Sequence, residues 1–257
     1  MNNTIKLIKK KKDKSKIVCL TAYSKNIAQI VDKHCDIVLV GDSLGSVLYN
    51  YKSTRSVTLK TMIEHSKSVR MGIKKSLMVV DMPYNTYRNN SEALKNARQI
   101  ILKTKCDAVK LEGGSKIYNI VKTLIKNKIP VMGHLGILPQ SAKKFKVKGK
   151  KISEQKKILK DAKILEKSGV FSIVLECIKM STAKQITNKL KIPTIGIGSS
   201  INCDGQVLVT DDLIGLNDTR IKFVKKFINI KKYINFGLKK FTKDVRAKKY
   251  PSKKHSY

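Results

Sequence analysis

No stretch of this chain approaches the roughly 18 consecutive apolar residues of a membrane span. The lysine-rich segment from Lys6 to Lys16 has no apolar region after it long enough for a secretory signal. A soluble protein that stays where it is made is expected, with no membrane partner. Cysteine is sparse and unpatterned: Cys19, Cys35, Cys106, Cys177 and Cys203 are odd in number and contain no Cys-x-x-Cys pair. That argues against a disulfide framework or a structural zinc site and suits a reducing cytoplasm. Acid is scarce as well, 18 Asp plus Glu against 55 Lys plus Arg, for a formal net charge of +37. Such an excess is the footprint of a nucleic-acid binder. Here, however, it is mostly Lys and lies in every segment, whereas readers of bases and phosphates concentrate Arg and aromatics on one face. Abundant Lys, Asn and Ile together look like nucleotide bias in the coding gene. Most lysines are therefore expected to be solvated, and no specific nucleic-acid partner is expected.

The chain does contain eight short runs rich in Val, Ile and Leu and bounded by Gly, Pro, Asp or Ser. They are Ile17 to Tyr23, Asp36 to Ser43, Leu77 to Pro83, Ala108 to Gly114, Pro130 to Gly136, Ser172 to Cys177, Pro193 to Ser199 and Gln206 to Ile214. Runs of this kind suit strands buried on both faces of a parallel sheet. Between them lie segments with helical spacing: Asn26 to His34, Leu59 to Ile73 with Thr58 as cap, Ser91 to Thr104 with Glu92 in its first turn, Ser115 to Lys126, Ser153 to Ser168 and Ser181 to Leu190. Alternating strand and helix dictates parallel strands and right-handed crossovers, and eight strands allow the sheet to close. The length, 257 residues, matches one (β/α)8 TIM barrel of roughly 250 residues. A single domain over 1–257 is expected, with a basic N-terminal segment (1–16) and a Lys-rich C-terminal tail (about 231–257). Ser200 to Gly205 is too short for a crossover helix, so either the last two strands are joined unusually or the eighth is misread. From Arg220 onward, Phe223, Phe227, Ile228 and Ile230 predict a closing helix before the tail. The basic stretch Lys143 to Lys151 is either a lid over the rim or a surface loop.

Five runs end on a residue able to hold a metal or move a proton: Asp42, Asp81, Lys110 with Glu112, His134, and Glu176. In a parallel barrel these gather at the C-terminal rim, where catalysis sits. Asp42 lies between Gly41 and Ser43-Leu44-Gly45, and Asp81 holds the equivalent place one strand later. Two carboxylates from neighbouring strand ends make a hard oxygen site of the kind Mg²⁺ takes, with water and substrate filling its octahedron. A lone strand-end Asp is more often a helix cap, and it is the equivalence of positions that favours the metal. Glu112 points to the same side of its strand as Lys110 and binds metal directly or through water. Lys110, set among apolar residues, needs an anionic partner: Glu112, another core carboxylate, or a substrate carboxylate. His134 either donates to a substrate oxygen or is a satisfied structural group. A carboxylate kept from water at Glu176 is expected to titrate nearer the range of a general base; the alternative is pairing with a core lysine. Ile195-Gly196-Ile197-Gly198-Ser199-Ser200 is either a phosphate-cradling loop or glycines needed for close packing.

Taken together, these stretches resemble the ketopantoate hydroxymethyltransferase family. The likeness is carried by Thr21-Ala22-Tyr23, Val40-Gly41-Asp42-Ser43-Leu44-Gly45, Val109-Lys110-Leu111-Glu112-Gly113-Gly114, Gly133-His134-Leu135-Gly136-Ile137-Leu138-Pro139-Gln140, Leu175-Glu176-Cys177 and Ile195-Gly196-Ile197-Gly198. It runs from about Lys16 through the Ile214 region, with a weaker echo in Tyr250-Pro251 to His255-Ser256. The resemblance implies a (β/α)8 barrel of the phosphoenolpyruvate/pyruvate type in a homodecamer. It also implies Mg²⁺ as cofactor and transfer of a hydroxymethyl group from 5,10-methylenetetrahydrofolate to 3-methyl-2-oxobutanoate, giving 2-dehydropantoate and tetrahydrofolate. By the family pattern, Asp42 and Asp81 bind Mg²⁺ and Glu112 completes or supports that site. Asp42, Ser43, Asp81 and Lys110 touch the keto acid, His134 lies against it, and Glu176 is the proton acceptor. The chain departs from the pattern at Ser24, where the family usually has Asp, at Ser56, where it has Pro, and in a shorter loop over 145–149. Two other classes share parts of this reading: a carbon–carbon lyase or phosphonomutase of the same superfamily, which would need no folate, and a basic nucleic-acid binder on an old barrel.

Overall fold

The structure is a computed structural model that describes residues 3–142, 146–218 and 220–257. One compact unit ends at Val209 and a second comprises Thr210–Tyr257. In the first, the order is α1 (Asn3–Lys10), β1 (Ile17–Thr21), α2 (Lys25–Val31), β2 (Ile37–Val40), α3 (Leu44–Tyr49), α4 (Leu59–Arg70), β3 (Leu77–Asp81), α5 (Asn90–Thr104) and β4 (Ala108–Glu112). There follow α6 (Tyr118–Lys126), β5 (Val131–Gly136), α7 (Ile152–Ser168), β6 (Ser172–Glu176), α8 (Met180–Lys189), β7 (Thr194–Ile197) and β8 (Gly205–Leu208). All eight strands pair in parallel and in sequence, and β1 pairs with β8 to close the barrel.

Each strand sorts its side chains by alternation. Val38, Val40, Met78, Val80, Val109, Leu111, Ile173 and Leu175 join the core shared with the surrounding helices. Their neighbours Ile37, Leu39, Leu77, Val79, Ala108, Met132, Val174 and Ile195 form a separate inner cluster. Continued toward the C-terminal ends, the inward set turns polar: Val79 is followed by Asp81, Ala108 by Lys110 and Glu112, and Met132 by His134. The lumen is thus oily at one end and charged at the other.

The oily end is sealed by α1, which the sequence reading had merged into a basic segment. Ile5 and Ile8 of α1 are buried in the inner cluster with Ile17, Ile37 and Leu77 at the strand starts. The lysines beside them are not free in water: Lys12 Nζ pairs with buried Asp204 at 3.1 Å, and Lys11 Nζ reaches Asp36 at 2.6 Å. Asp204 also accepts the Thr194 amide at 2.8 Å, tying the helix-free β7–β8 connection to the N-terminal segment.

The predicted boundaries hold to within a few residues for seven strands, and β8 is the exception. The expected run to Ile214 ends at Leu208, and Thr210–Leu213 is a helical turn, α9. The acidic pair Asp211-Asp212 suits a helix's first turn and not a strand. The helix read at Arg220 lies further on, as α10 (Ile230–Arg246). Its apolar positions Ile230, Tyr233, Ile234, Leu238, Phe241 and Val245 are separated by lysines that made the segment look like a solvated tail. Of the stretch Lys143 to Lys151, 143–145 lie outside the described residues. Beyond them Lys148 bridges in parallel with Ile178, its amide donating to the Cys177 carbonyl at 2.8 Å.

Closure needs two glycines. A side chain at Gly205 would lie 2.4 Å from the Ile17 carbonyl of β1, and one at Gly136 would lie 2.1 Å from the carbonyl of Glu176. The first lets β8 meet β1; the second brings the end of β5 against the end of β6.

Replacing Ile5 with Ala should cost about 2–5 kcal/mol, the range for truncating a fully buried aliphatic, because Ile5 is a core residue of the barrel floor. Urea unfolding reads this directly. A loss below about 0.5 kcal/mol, the size of an ordinary surface substitution, would remove α1 from the core.

Candidate active site

Strand register brings the charged residues together. Asp81 stands opposite Lys110, and Glu112 opposite His134, in adjacent strands. Lys110 Nζ lies 2.9 Å from Asp81 Oδ1 and 3.4 Å from His134 Nδ1. His134 Nε2 lies 3.1 Å from Glu176 Oε2, and its Nδ1 is 3.6 Å from Glu112 Oε1. The Asp42 amide donates to Asp81 Oδ2 at 3.1 Å, joining the β2 and β3 ends. Ser43 bonds the Tyr23 hydroxyl at 2.8 Å. All the residues singled out in the sequence therefore meet at one rim, the carboxylates and Lys110 buried and Glu176 partly open to solvent.

Electrostatics follow from burial. Four carboxylates (Asp42, Asp81, Glu112, Glu176) face one ammonium. Burial pushes Asp42 up to about 7, with Asp81 adding to the rise and Lys110 opposing it. Burial likewise pushes Glu112 up to about 9, with Lys110 opposing and Asp42 reinforcing. Burial works against charge on Lys110, but Asp81, Glu112 and Asp42 outweigh it and hold the ammonium above its ordinary range. His134 is pushed down, first by burial and then by Lys110, and is a neutral imidazole at neutral pH.

The donor set fits a divalent cation. An acid-rich pocket that raises its own carboxyl pKa values gains from added positive charge. Two buried atoms of the cluster, Asp81 Oδ1 and His134 Nε2, make no aligned hydrogen bond within the protein, although each lies at ion-pair distance from a charged neighbour. Buried polar atoms left in this state mark places for a ligand. Among the described residues no three His, Cys, Asp or Glu side chains converge as a closed cage. A cation held by Asp42 and Asp81 would therefore need water and substrate for its remaining positions, as Mg²⁺ commonly does.

Gln140, Tyr87 and Arg55 received no role in the sequence reading. Gln140 is buried at the centre of the rim: its side-chain Nε2 donates to Asp42 Oδ2 at 2.8 Å and to the Met82 carbonyl at 2.9 Å. Its backbone amide donates to Glu112 Oε2 at 3.0 Å, and its carbonyl accepts from Arg55 Nε at 2.7 Å. The only sequence signal was its place as the last residue of the Gly133 to Gln140 motif. In the glycine stretch 195–200, a side chain at Gly196 would meet Gln206 and Cys203 within 3.0–3.2 Å, so this glycine allows close packing. A small cavity of about 180 Å³ borders Glu112 and Gln140, lined also by Tyr84, Tyr87 and Arg88.

Comparison with known proteins gives the family. Residues 2–253 match the family model of ketopantoate hydroxymethyltransferase. The chain is 69% identical over 257 residues to the 3-methyl-2-oxobutanoate hydroxymethyltransferase of Pelagibacter ubique (strain HTCC1062), covering 100% of both. It is 44% identical over 255 residues to the enzyme of that name from Chelativorans sp. (strain BNC1), covering 97% of this chain and 90% of the relative. Among solved structures, a phosphonopyruvate hydrolase complex with oxalate and Mg²⁺ superposes with a TM-score of 0.62 at 9% identity, covering 99% of this chain and 93% of that one. A 2,3-dimethylmalate lyase of the PEP mutase/isocitrate lyase superfamily gives 0.61 at 9%, covering 100% and 89%. At such identities the likeness establishes the barrel type alone, as expected from the strand pattern.

The raised carboxyls set a sign for stability against pH. Asp42 and Glu112 keep protons when folded at pH values where the unfolded chain has lost them, so folding weakens as pH rises toward about 9. His134, pushed down in the fold, opposes this trend only near the ordinary histidine pKa, where the unfolded imidazole still carries some charge, and not at higher pH. In chelator, the urea midpoint should fall from pH 6.5 to 9, and less steeply in Glu112→Gln. A flat or rising midpoint contradicts the buried-acid picture.

Proposed function

The chain belongs to the ketopantoate hydroxymethyltransferase family, and from that premise we propose that it makes 2-dehydropantoate from 3-methyl-2-oxobutanoate. In this reading the hydroxymethyl carbon comes from 5,10-methylenetetrahydrofolate and the reaction serves pantothenate biosynthesis in the cytoplasm. The observation that carries it is the cluster at the rim: an acid pair, Asp42 and Asp81, beside a buried ammonium, with a partly open carboxylate, Glu176, held against a neutral imidazole.

Asp42 and Asp81 would hold Mg²⁺, with Glu112 supporting the site from beside His134. When bound, the cation supplies Lewis acidity to the keto and carboxylate oxygens of the 2-oxo acid. Lys110, kept charged by its acid neighbours, is placed to receive the substrate carboxylate. Ser43, fixed by Tyr23, offers a further hydrogen bond. Glu176 takes the proton from C3, and the C–H electron pair becomes that of an enolate. His134 orients Glu176 through Nε2; its present alignment is of the loose kind that tightens when substrate binds. The enolate carbon forms the new bond to the methylene carbon of the folate donor and water supplies the hydroxyl oxygen, as that carbon's two C–N bonds break in turn; the proton from Glu176 and one from water go to the two nitrogens of the departing tetrahydrofolate.

A homo-oligomer, a decamer by family likeness, belongs to the same reading. Supporting it, α10 exposes Tyr233, Phe236, Leu238 and Phe241 on an amphipathic helix with no buried residue, a surface of the kind that marks protein association.

An assay for 2-dehydropantoate with and without methylenetetrahydrofolate tests the reaction; turnover of the keto acid without folate would point to lyase chemistry instead. In the same material, Glu176→Gln should slow hydrogen isotope exchange at C3 of 3-methyl-2-oxobutanoate by about 10²–10⁴-fold, the usual worth of a general base. Exchange at the parent rate would remove Glu176 from that role.

A further inference from the structure

The rim contains one polar side chain that the chemistry above does not use and that is nevertheless buried and fully engaged. Gln140 has no titratable group, yet it contacts three of the strand ends that carry the site. Its carboxamide donates to Asp42 Oδ2 after β2 and to the Met82 carbonyl after β3, and its backbone amide donates to Glu112 at the end of β4.

The amide can point only one way. The Met82 carbonyl can only accept, so the group facing it must be the NH₂, whose second hydrogen is then directed to Asp42 Oδ2. With the amide so turned, its Oε1 accepts from the Tyr87 hydroxyl. The main chain at this residue is held too, since Arg55 Nε donates to the Gln140 carbonyl at 2.7 Å while the Arg55 guanidinium lies 4.9 Å over the Tyr84 ring. Gln140 is therefore a rigid object, and Asp42 Oδ2 is bonded to it.

We propose that Gln140 is a positioning residue for the cation site: by occupying Asp42 Oδ2 it fixes the carboxylate plane and leaves Oδ1 as the oxygen presented to the metal. Tyr87 acts one step further out, by keeping the carboxamide from turning. The inference rests on the reading of Asp42 as a Mg²⁺ ligand. It extends that reading to residues that approach the cation only through its proposed ligands, Gln140 through Asp42 and Glu112, and Tyr87 through Gln140. Partners of this type orient ligands throughout metalloproteins, and their loss typically weakens metal affinity by about 10–100-fold.

The test is Mg²⁺ affinity of the full-length protein by calorimetry, with urea unfolding run alongside. Gln140→Ala should weaken Mg²⁺ binding by about 10–100-fold, and saturating Mg²⁺ should restore most of kcat. Tyr87→Phe should weaken binding in the same direction by a smaller factor. Should Gln140→Ala fail to fold, Tyr87→Phe decides, because it keeps the glutamine and removes only the hydroxyl; unchanged affinity there overturns the proposal. So does a folded Gln140→Ala that has lost stability but binds Mg²⁺ like the parent. Asp42→Asn separates the two levels: if it weakens binding and Gln140→Ala does not, only the glutamine's role falls. If neither variant changes affinity, the metal assignment falls and this inference with it.

Discussion

An ammonium group cannot be buried without acid around it, and in this barrel that requirement shapes the whole rim. Lys110 sits inside the lumen on β4, and Asp81, Glu112 and Asp42 make its charge tolerable. Burial first, and then the excess of acids over the one cation, drives Asp42 and Glu112 toward protonation. One buried lysine is thus too little positive charge for the acids gathered around it. Low dielectric makes each imbalance larger than it would be in water. The same pocket attracts a divalent cation and an anionic substrate together, since each compensates what the other leaves.

The barrel keeps this charge apart from its oily floor. Strand alternation sends Leu77, Val79 and Asp81 to the same inner face, so a single strand carries both an apolar base and a carboxylate at its tip. The floor is closed by Ile5 and Ile8 of α1. A water-filled lower lumen would solvate the charges from below and reduce the field at the rim. The N-terminal helix and the catalytic end are therefore linked through the dielectric of the space between them.

Much of this was legible in the sequence because buried parallel strands announce themselves as short apolar runs. Seven of the eight runs matched, and the residue ending each run proved to lie at the rim, because a strand's direction fixes which end its last residue occupies. The fold class and the set Asp42, Asp81, Lys110, Glu112, His134 and Glu176 followed from that. Legibility ended where lysine masked the pattern. In α1 and α10 the apolar residues have helical spacing, but the intervening lysines made both segments look solvated. The β8 boundary was lost because Val209 and Ile214 continue an apolar run across a helical turn.

Sequence alone determined which residues could do chemistry and on which strand each would stand, since spacing and alternation are local properties of the chain. Tertiary structure decided which of them touch. Lys110 chose Asp81 over Glu112 as its nearest acid, and His134 turned Nε2 to Glu176. Gln140, from the loop after β5, reached across to Asp42, just after β2. No local signal carries that last contact, 98 residues apart in the chain. It exists because closing the sheet places distant strand ends within one side chain's reach.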